Sequence, residues 1–141
     1  MIQRWGQDPR VHRLRSIPGM GPFAAIAVVL ELGDIQRFPS AKHVASYLGL
    51  TPRLRASAQR LRTGHISKEG NRLLRWVFVL AATQAARRPG PLRAWFRTIQ
   101  RRKGRKIARV ALARRLAEIG YHVWKDEIDF FTLLRHGGVR G

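Results

Sequence analysis

Ser57 stands between Arg55 and Arg60 in a stretch, Thr51 to Ile66, that carries no helical period. A serine hydroxyl attacks phosphorus only where nearby cations stabilise the charged transition state and lower the cost of the alkoxide. Arg53, Arg55, Arg60 and Arg62 supply that setting. Two chemistries fit. The hydroxyl can donate a hydrogen bond to a phosphate, or it can attack a phosphodiester and hold one strand end covalently, conserving the bond for rejoining. Local sequence favours the donor. Ser67, in Ile-Ser-Lys-Glu-Gly ahead of a helical pattern, reads as a helix N-cap instead.

A second phosphate-directed feature is Ser-Ile-Pro-Gly-Met-Gly-Pro at residues 16–22. Gly19 and Gly21 allow backbone angles that a Cβ forbids, and Pro22 suits the first turn of a following helix. A turn of this kind between two helices can aim several N–H groups at one anion, as a helix-hairpin-helix does. Lys68 and Arg72 open a later helix, and Arg102, Lys103, Arg105 and Lys106 surround Gly104. All are candidate contacts to a nucleic-acid backbone.

Carboxylate chemistry is poorly provided for. The eight acids are dispersed, whereas a metal nuclease needs several converging on one or two divalent ions. Glu31 and Asp34 read as a helix end with a turn-forming Asp, and Asp126, Glu127 and Asp129 as a solvated turn. No metal site is expected. With no cysteine, disulfides and thiolate metal sites are excluded.

The charge decides the partner class. Lys plus Arg number 28 against 8 Asp plus Glu, a net charge of +20. Such an excess concentrates polyanions and releases their counterions on binding. The predominance of Arg favours bidentate phosphate contacts. A ribosomal or membrane-surface protein is the competing class. The longest uncharged apolar run, Pro22 to Leu30, is too short to span a bilayer. No secretory leader is visible after Met1, so the expected setting is cytoplasmic.

The elements that must position these residues are helical. Val11 and Leu14 suit a short helix ahead of the hairpin. Phe23–Leu32, apolar on nearly every side, is expected to form the buried centre. Ser40 opens a helix with Val44, Ala45 and Leu48 inward. After the basic loop, a helix from Ser67 turns Leu73, Leu74, Val77, Phe78, Leu80 and Ala81 inward, with Trp76 beside that face. Leu92–Gln100 carries Trp95, Phe96 and Ile99. A last long helix is expected to bury Ile107, Val110, Ala111, Leu116, Ile119 and Val123. The fold class is mainly α: a compact helical domain with a helix-hairpin-helix-like element and one long basic loop with room for short strands. Residues 1–15 read as an N-terminal remnant or linker, 16–125 as the domain, and 126–141 as a tail.

Four blocks in order carry a resemblance: Ser16–Pro22, Leu-Gly-Asp-Ile-Gln-Arg-Phe at 32–38, Ala-Ser-Tyr-Leu-Gly-Leu-Thr-Pro-Arg at 45–53, and Gly-His-Ile-Ser-Lys-Glu-Gly-Asn at 64–71. From Ser16 to Trp124 the chain resembles the C-terminal domain of insertion-sequence transposases that pair a Ruv-like DEDD nuclease domain with a serine-bearing helical domain. Pilin-gene invertases and bridge-RNA-guided recombinases belong to the same group. The resemblance implies that Ser57 is the nucleophile for strand cleavage and rejoining. It also implies that Mg2+ is held by carboxylates of an N-terminal domain missing here. One departure is Ala58, where the family usually has glycine. The expectation is therefore a truncated transposase part, inactive alone, with DNA as partner. A guide RNA, further copies of itself or a full-length transposase are additional expected partners. The alternative is a stand-alone, non-enzymatic DNA- or RNA-binding helix-hairpin-helix module.

Overall fold

The computed structural model describes residues 7–50 and 68–137, with backbone alone for 68–71. The described residues form seven α-helices: α1 (Pro9–Arg15), α2 (Pro22–Leu32), α3 (Ala41–Tyr47), α4 (Lys68–Ala85), α5 (Pro91–Lys103), α6 (Arg105–Lys125) and α7 (Phe130–Arg135), with a 3₁₀ turn at Ile35–Arg37. The described residues contain no strand. The mainly helical class is as the sequence implied. The basic loop at 51–66, with its room for strands, lies outside the described residues.

Local chemistry explains the helix ends. Asp8 caps α1, its carboxylate accepting the Arg10 N–H at 2.9 Å, with Pro9 in the first turn. Pro22 opens α2 and Gly33, at φ +72°, ends it. Ser40 occupies the cap position of α3, but its hydroxyl pairs with His43 Nδ1 at 2.7 Å and makes no cap bond to the backbone. Asp34 accepts the Gln36 N–H at 2.9 Å, which assigns it to the turn.

The centre of the fold is α6, not α2. The longest helix at 21 residues, α6 packs against α1, α3, α4, α5, α7 and the 3₁₀ turn. Ala108, Ala113, Ala117 and Gly120 let neighbours close in, while Leu112, Leu116, Ile119 and Val123 fill the space between them. By contrast, α2 packs chiefly on α1 and α4 and leaves Phe23 and Leu30 in solvent. An all-apolar helix reads as central only when every face finds a partner, and two of its large side chains find none.

The first and last described helices join this core. Val11 and Leu14 of α1 are fully buried, as are Phe130 and Leu133 of α7 nearly so. Ser16 ties these two helices together: its hydroxyl donates to the Arg13 carbonyl and accepts the Phe130 N–H at 2.8 Å. Tyr121 of α6 donates to the Phe38 carbonyl at 3.2 Å, fixing the 3₁₀ turn to the hub. No charged or polar residue is buried among the described ones, so their cations lie at or near the surface.

Candidate nucleic-acid interface

The hairpin at 16–22 lies between α1 and α2, which pack on each other. Gly19 has φ +90°, and a Cβ there would run into the Ala81 backbone carbonyl of α4. Its first duty is therefore close approach to a neighbouring helix. Gly21 differs: it is exposed, has an ordinary φ of −82°, and a Cβ would meet nothing. The exposed tip is Gly21-Pro22-Phe23, at the start of α2.

The cations around Gly104 are arranged otherwise. Gly104, at φ +95° and with open space where a Cβ would stand, is the one-residue joint between α5 and α6. It lets the two helices fold back and pack along each other. Arg102, Lys103, Arg105 and Lys106 are all exposed. Arg102 and Lys103 sit at the C-terminus of α5, where the helix dipole favours cations. Arg105 and Lys106 sit in the first turn of α6, where it opposes them, and that turn holds no acid.

Between α5 and α6 runs a groove of about 680 Å³. Its apolar lining comes from Leu50, Trp95, Ile99, Ile107, Val110 and Ala111. Arg102, Lys103, Lys106 and Arg114 add the charge, and among the described residues no acid lines it. The Arg115 guanidinium lies 5.1 Å over the Trp95 ring. Arg114 Nε is buried and makes no hydrogen bond.

Leu50 brings the end of α3 to this groove. Arg75 of α4 anchors the same end, Nε donating to the Leu48 carbonyl at 3.0 Å. Gly49, at φ +72°, lies close enough to that guanidinium that a Cβ would come within 3.3 Å of it. The chain thus enters residues 51–67 from a fixed point on the groove wall.

Of the sequence-predicted residues, Arg102, Lys103 and Lys106 share the groove, with Arg105 exposed beside them. Arg72 is exposed on α4, about 13 Å along the helix axis from Ala81 and the hairpin it abuts. Lys68 is the first residue of α4. Ser57, Arg53, Arg55, Arg60 and Arg62 lie outside the described residues, as does Ser67.

Three inward assignments need correction. Ile107 is 54 % exposed, Val110 39 % and Leu80 43 %. Trp76, set beside the apolar face of α4, is 55 % exposed. On α6 the hub face runs through Ala108, Leu112 and Leu116, so Ile107, Val110 and Arg114, spaced i, i+3, i+7, form a second stripe. The readable signal for the groove was this split: two apolar stripes on one helix, the second ending in Arg114 and flanked by Lys106. The sequence reading assigned neither Arg114 nor Trp95 to a site.

No three carboxylates or histidines converge among the described residues. Asp8 is paired with Arg10 at 2.6 Å, and that hydrogen-bonded guanidinium holds its carboxyl below the ordinary value. Asp129 caps α7 by accepting the Thr132 N–H, which lowers its value too. Asp34 is taken by its turn. Taken up in caps and a turn, these three carboxylates do not assemble a Mg2+ site.

Helical architecture, strong positive charge and a cation-rimmed groove define a basic, mainly α domain suited to a polyanionic partner. Residues 11–101 match the Transposase IS116/IS110/IS902 family, and the chain belongs to that family. It is 33 % identical over 124 residues to the uncharacterized 44.8 kDa protein of insertion element IS116 from Streptomyces clavuligerus, covering 85 % of this chain and 30 % of that protein. Its identity to the transposase for insertion sequence element IS1111A of Coxiella burnetii is 32 % over 111 residues, 76 % of this chain and 30 % of the relative. The pilin gene-inverting protein of Moraxella bovis is 32 % identical over 124 residues, 86 % of this chain and 38 % of its own length. The chain thus spans 30–38 % of these relatives. No solved structure matches it. No described helix is long and apolar enough to cross a membrane.

Proposed function

We propose that this chain is the serine-bearing helical part, 16–125, of an insertion-sequence transposase, corresponding to a C-terminal domain. It binds DNA in the cytoplasm and supplies Ser57 for strand cleavage and rejoining. The observation that carries the reading is Leu50 on the wall of the cationic groove. Ser57 follows seven residues later, a tether of at most about 25 Å, so the cations of the α5–α6 joint are within its reach. The exposed Gly21–Phe23 tip, in a helix-hairpin-helix role, is a second phosphate contact.

In this reading the Ser57 Oγ attacks phosphorus. An O–P bond forms, the bond to the neighbouring nucleoside oxygen breaks, and the serine proton ends on that oxygen as a free hydroxyl. Rejoining reverses the step with a hydroxyl from another strand end. The guanidinium groups of Arg53, Arg55, Arg60 and Arg62 balance the extra negative charge on the transferring phosphoryl group. In this reading Mg2+ is held by carboxylates of an acidic nuclease domain, which a full-length transposase partner supplies, and the chain alone is inactive. A guide RNA is a further partner of the assembled complex.

Complementation tests the assignment. The chain is mixed with a full-length relative whose own loop serine is replaced by alanine, together with a nicked duplex. A covalent protein–DNA adduct of this chain's mass is expected, and Ser57→Ala abolishes it while duplex affinity changes less than about twofold. An adduct that survives Ser57→Ala sinks the nucleophile assignment. The lack of acceptors for the groove cations among the described residues favours the second reading, a non-enzymatic DNA- or RNA-binding module. Tight duplex binding with no adduct under any complementation would select it.

A further inference from the structure

We propose that the groove between α5 and α6 is a binding site for unpaired nucleotides, holding base faces on its apolar floor and phosphates on its cationic rim. The inference rests on the nucleic-acid reading above and goes further by naming the form of nucleic acid that this surface takes. Three observations converge on it. First, the floor is apolar and open: Ile107 and Val110 are more than a third exposed, and Trp95 and Ile99 stand beside them. A concave apolar floor with a few charged groups along its edge is the usual form of a ligand groove. Contact with duplex phosphates alone would give it no partner, because paired bases hide their faces in the stack.

Second, the charge is arranged for an anion lying along that floor. Arg102, Lys103, Lys106 and Arg114 line the groove without an acid among them. Arg105 and Lys106 oppose the α6 dipole, an arrangement that a phosphate at the Gly104 joint relieves. Third, Arg114 Nε is a buried donor with no acceptor, and buried donors without partners are exceptional in folded proteins. The Arg115 guanidinium lies 5.1 Å over the Trp95 ring, an attraction that favours one orientation of this wall. A volume of about 680 Å³ suits a nucleotide-sized group. A second copy of the chain is the poorer occupant, since docking it would bring further cations of a +20 chain against this cationic rim.

The test measures binding of the full chain to a labelled single strand of about a dozen nucleotides and to a hairpin duplex of equal charge. Ile107→Ser and Val110→Ser are compared with the unaltered protein, both at sites already exposed to solvent. Each substitution is expected to weaken single-strand binding by several-fold, up to about tenfold, through lost apolar contact with the bases. Duplex binding, the salt dependence and the circular dichroism spectrum should stay as they were. Equal losses for strand and duplex, or no loss for either, overturn the groove as a site for unpaired bases. A change in sedimentation with unchanged strand binding overturns it in favour of an interface between copies. Failure of the unaltered chain to bind either nucleic acid overturns the underlying partner reading, a result distinct from the loss of strand preference alone.

Discussion

The hairpin at 16–22 and the joint at Gly104 look alike in sequence, each a glycine-containing turn between helices on a basic chain, yet the fold uses them differently. Gly19 is pressed onto the backbone of α4, so its missing side chain serves packing. Gly104 faces open space, and its positive φ serves only to reverse the chain. Around Gly104 the charges stay exposed over an apolar groove, while at the hairpin only Gly21–Phe23 reach solvent beyond the packed turn. A glycine motif thus says that backbone geometry matters, and the surroundings decide whether the beneficiary is a ligand or the core.

The largest expected effect separates the two glycines. Gly19→Val places a branched side chain at φ +90° against the Ala81 carbonyl and should cost about 4 kcal/mol or leave the chain unfolded. Gly104→Ala, strained only by its backbone angles of φ +95° and ψ 166°, should cost about 2 kcal/mol. Urea unfolding midpoints measure both, and equal losses would break the contrast. Gly21→Ala, with room for its Cβ, keeps the fold and so tests the hairpin as a nucleic-acid contact where Gly19→Val does not.

Next in size is the joint's charge. Replacing Arg102, Lys103 and Lys106 together by Gln should change stability by less than about 0.5 kcal/mol, because all three are exposed. The same change should reduce the slope of log affinity for duplex DNA against log salt by about 2–3, as counterion release scales with phosphate contacts. An unaltered slope would move the binding surface away from the groove.

The smallest effect is acid sensitivity away from the groove. Arg10 holds the Asp8 carboxyl below its ordinary value, so this group adds stability above the unfolded carboxyl's value. That contribution disappears as pH falls through the lowered folded value, on the acid side of the ordinary carboxyl range. Asp129 titrates in the same direction at α7, whereas the described groove lining has no acid to titrate. Asp8→Asn keeps a capping side chain but should flatten part of the acid limb, by under about 1 kcal/mol, in unfolding curves between neutral pH and pH 3. An unchanged limb would remove Asp8 from the account.

Helix existence was legible because each segment carried its own signals: Pro22 at a helix start, Gly33 and Gly49 at ends, and apolar residues at helical spacing in 73–81 and 107–123. Placement within the bundle was less so. The uniform apolarity of 23–32 suggested a central helix, yet centrality belongs to α6, whose mixed composition hides two faces with different duties. Ile107 and Val110 have the same side-chain chemistry as core residues, and nothing local marks them as facing a groove.

Charge, the absence of cysteine, the dispersed acids, the helical class and the family blocks are properties of single residues and short windows, and the sequence by itself determined them. Tertiary structure alone decided which apolar stripe is covered, which glycine touches another helix, and which of many cations share one groove. The physical reason is that burial and juxtaposition are relations between segments distant along the chain. Gly19 meets Ala81, Arg75 meets Leu48, and Leu50 meets the α5–α6 groove only once the helices have packed.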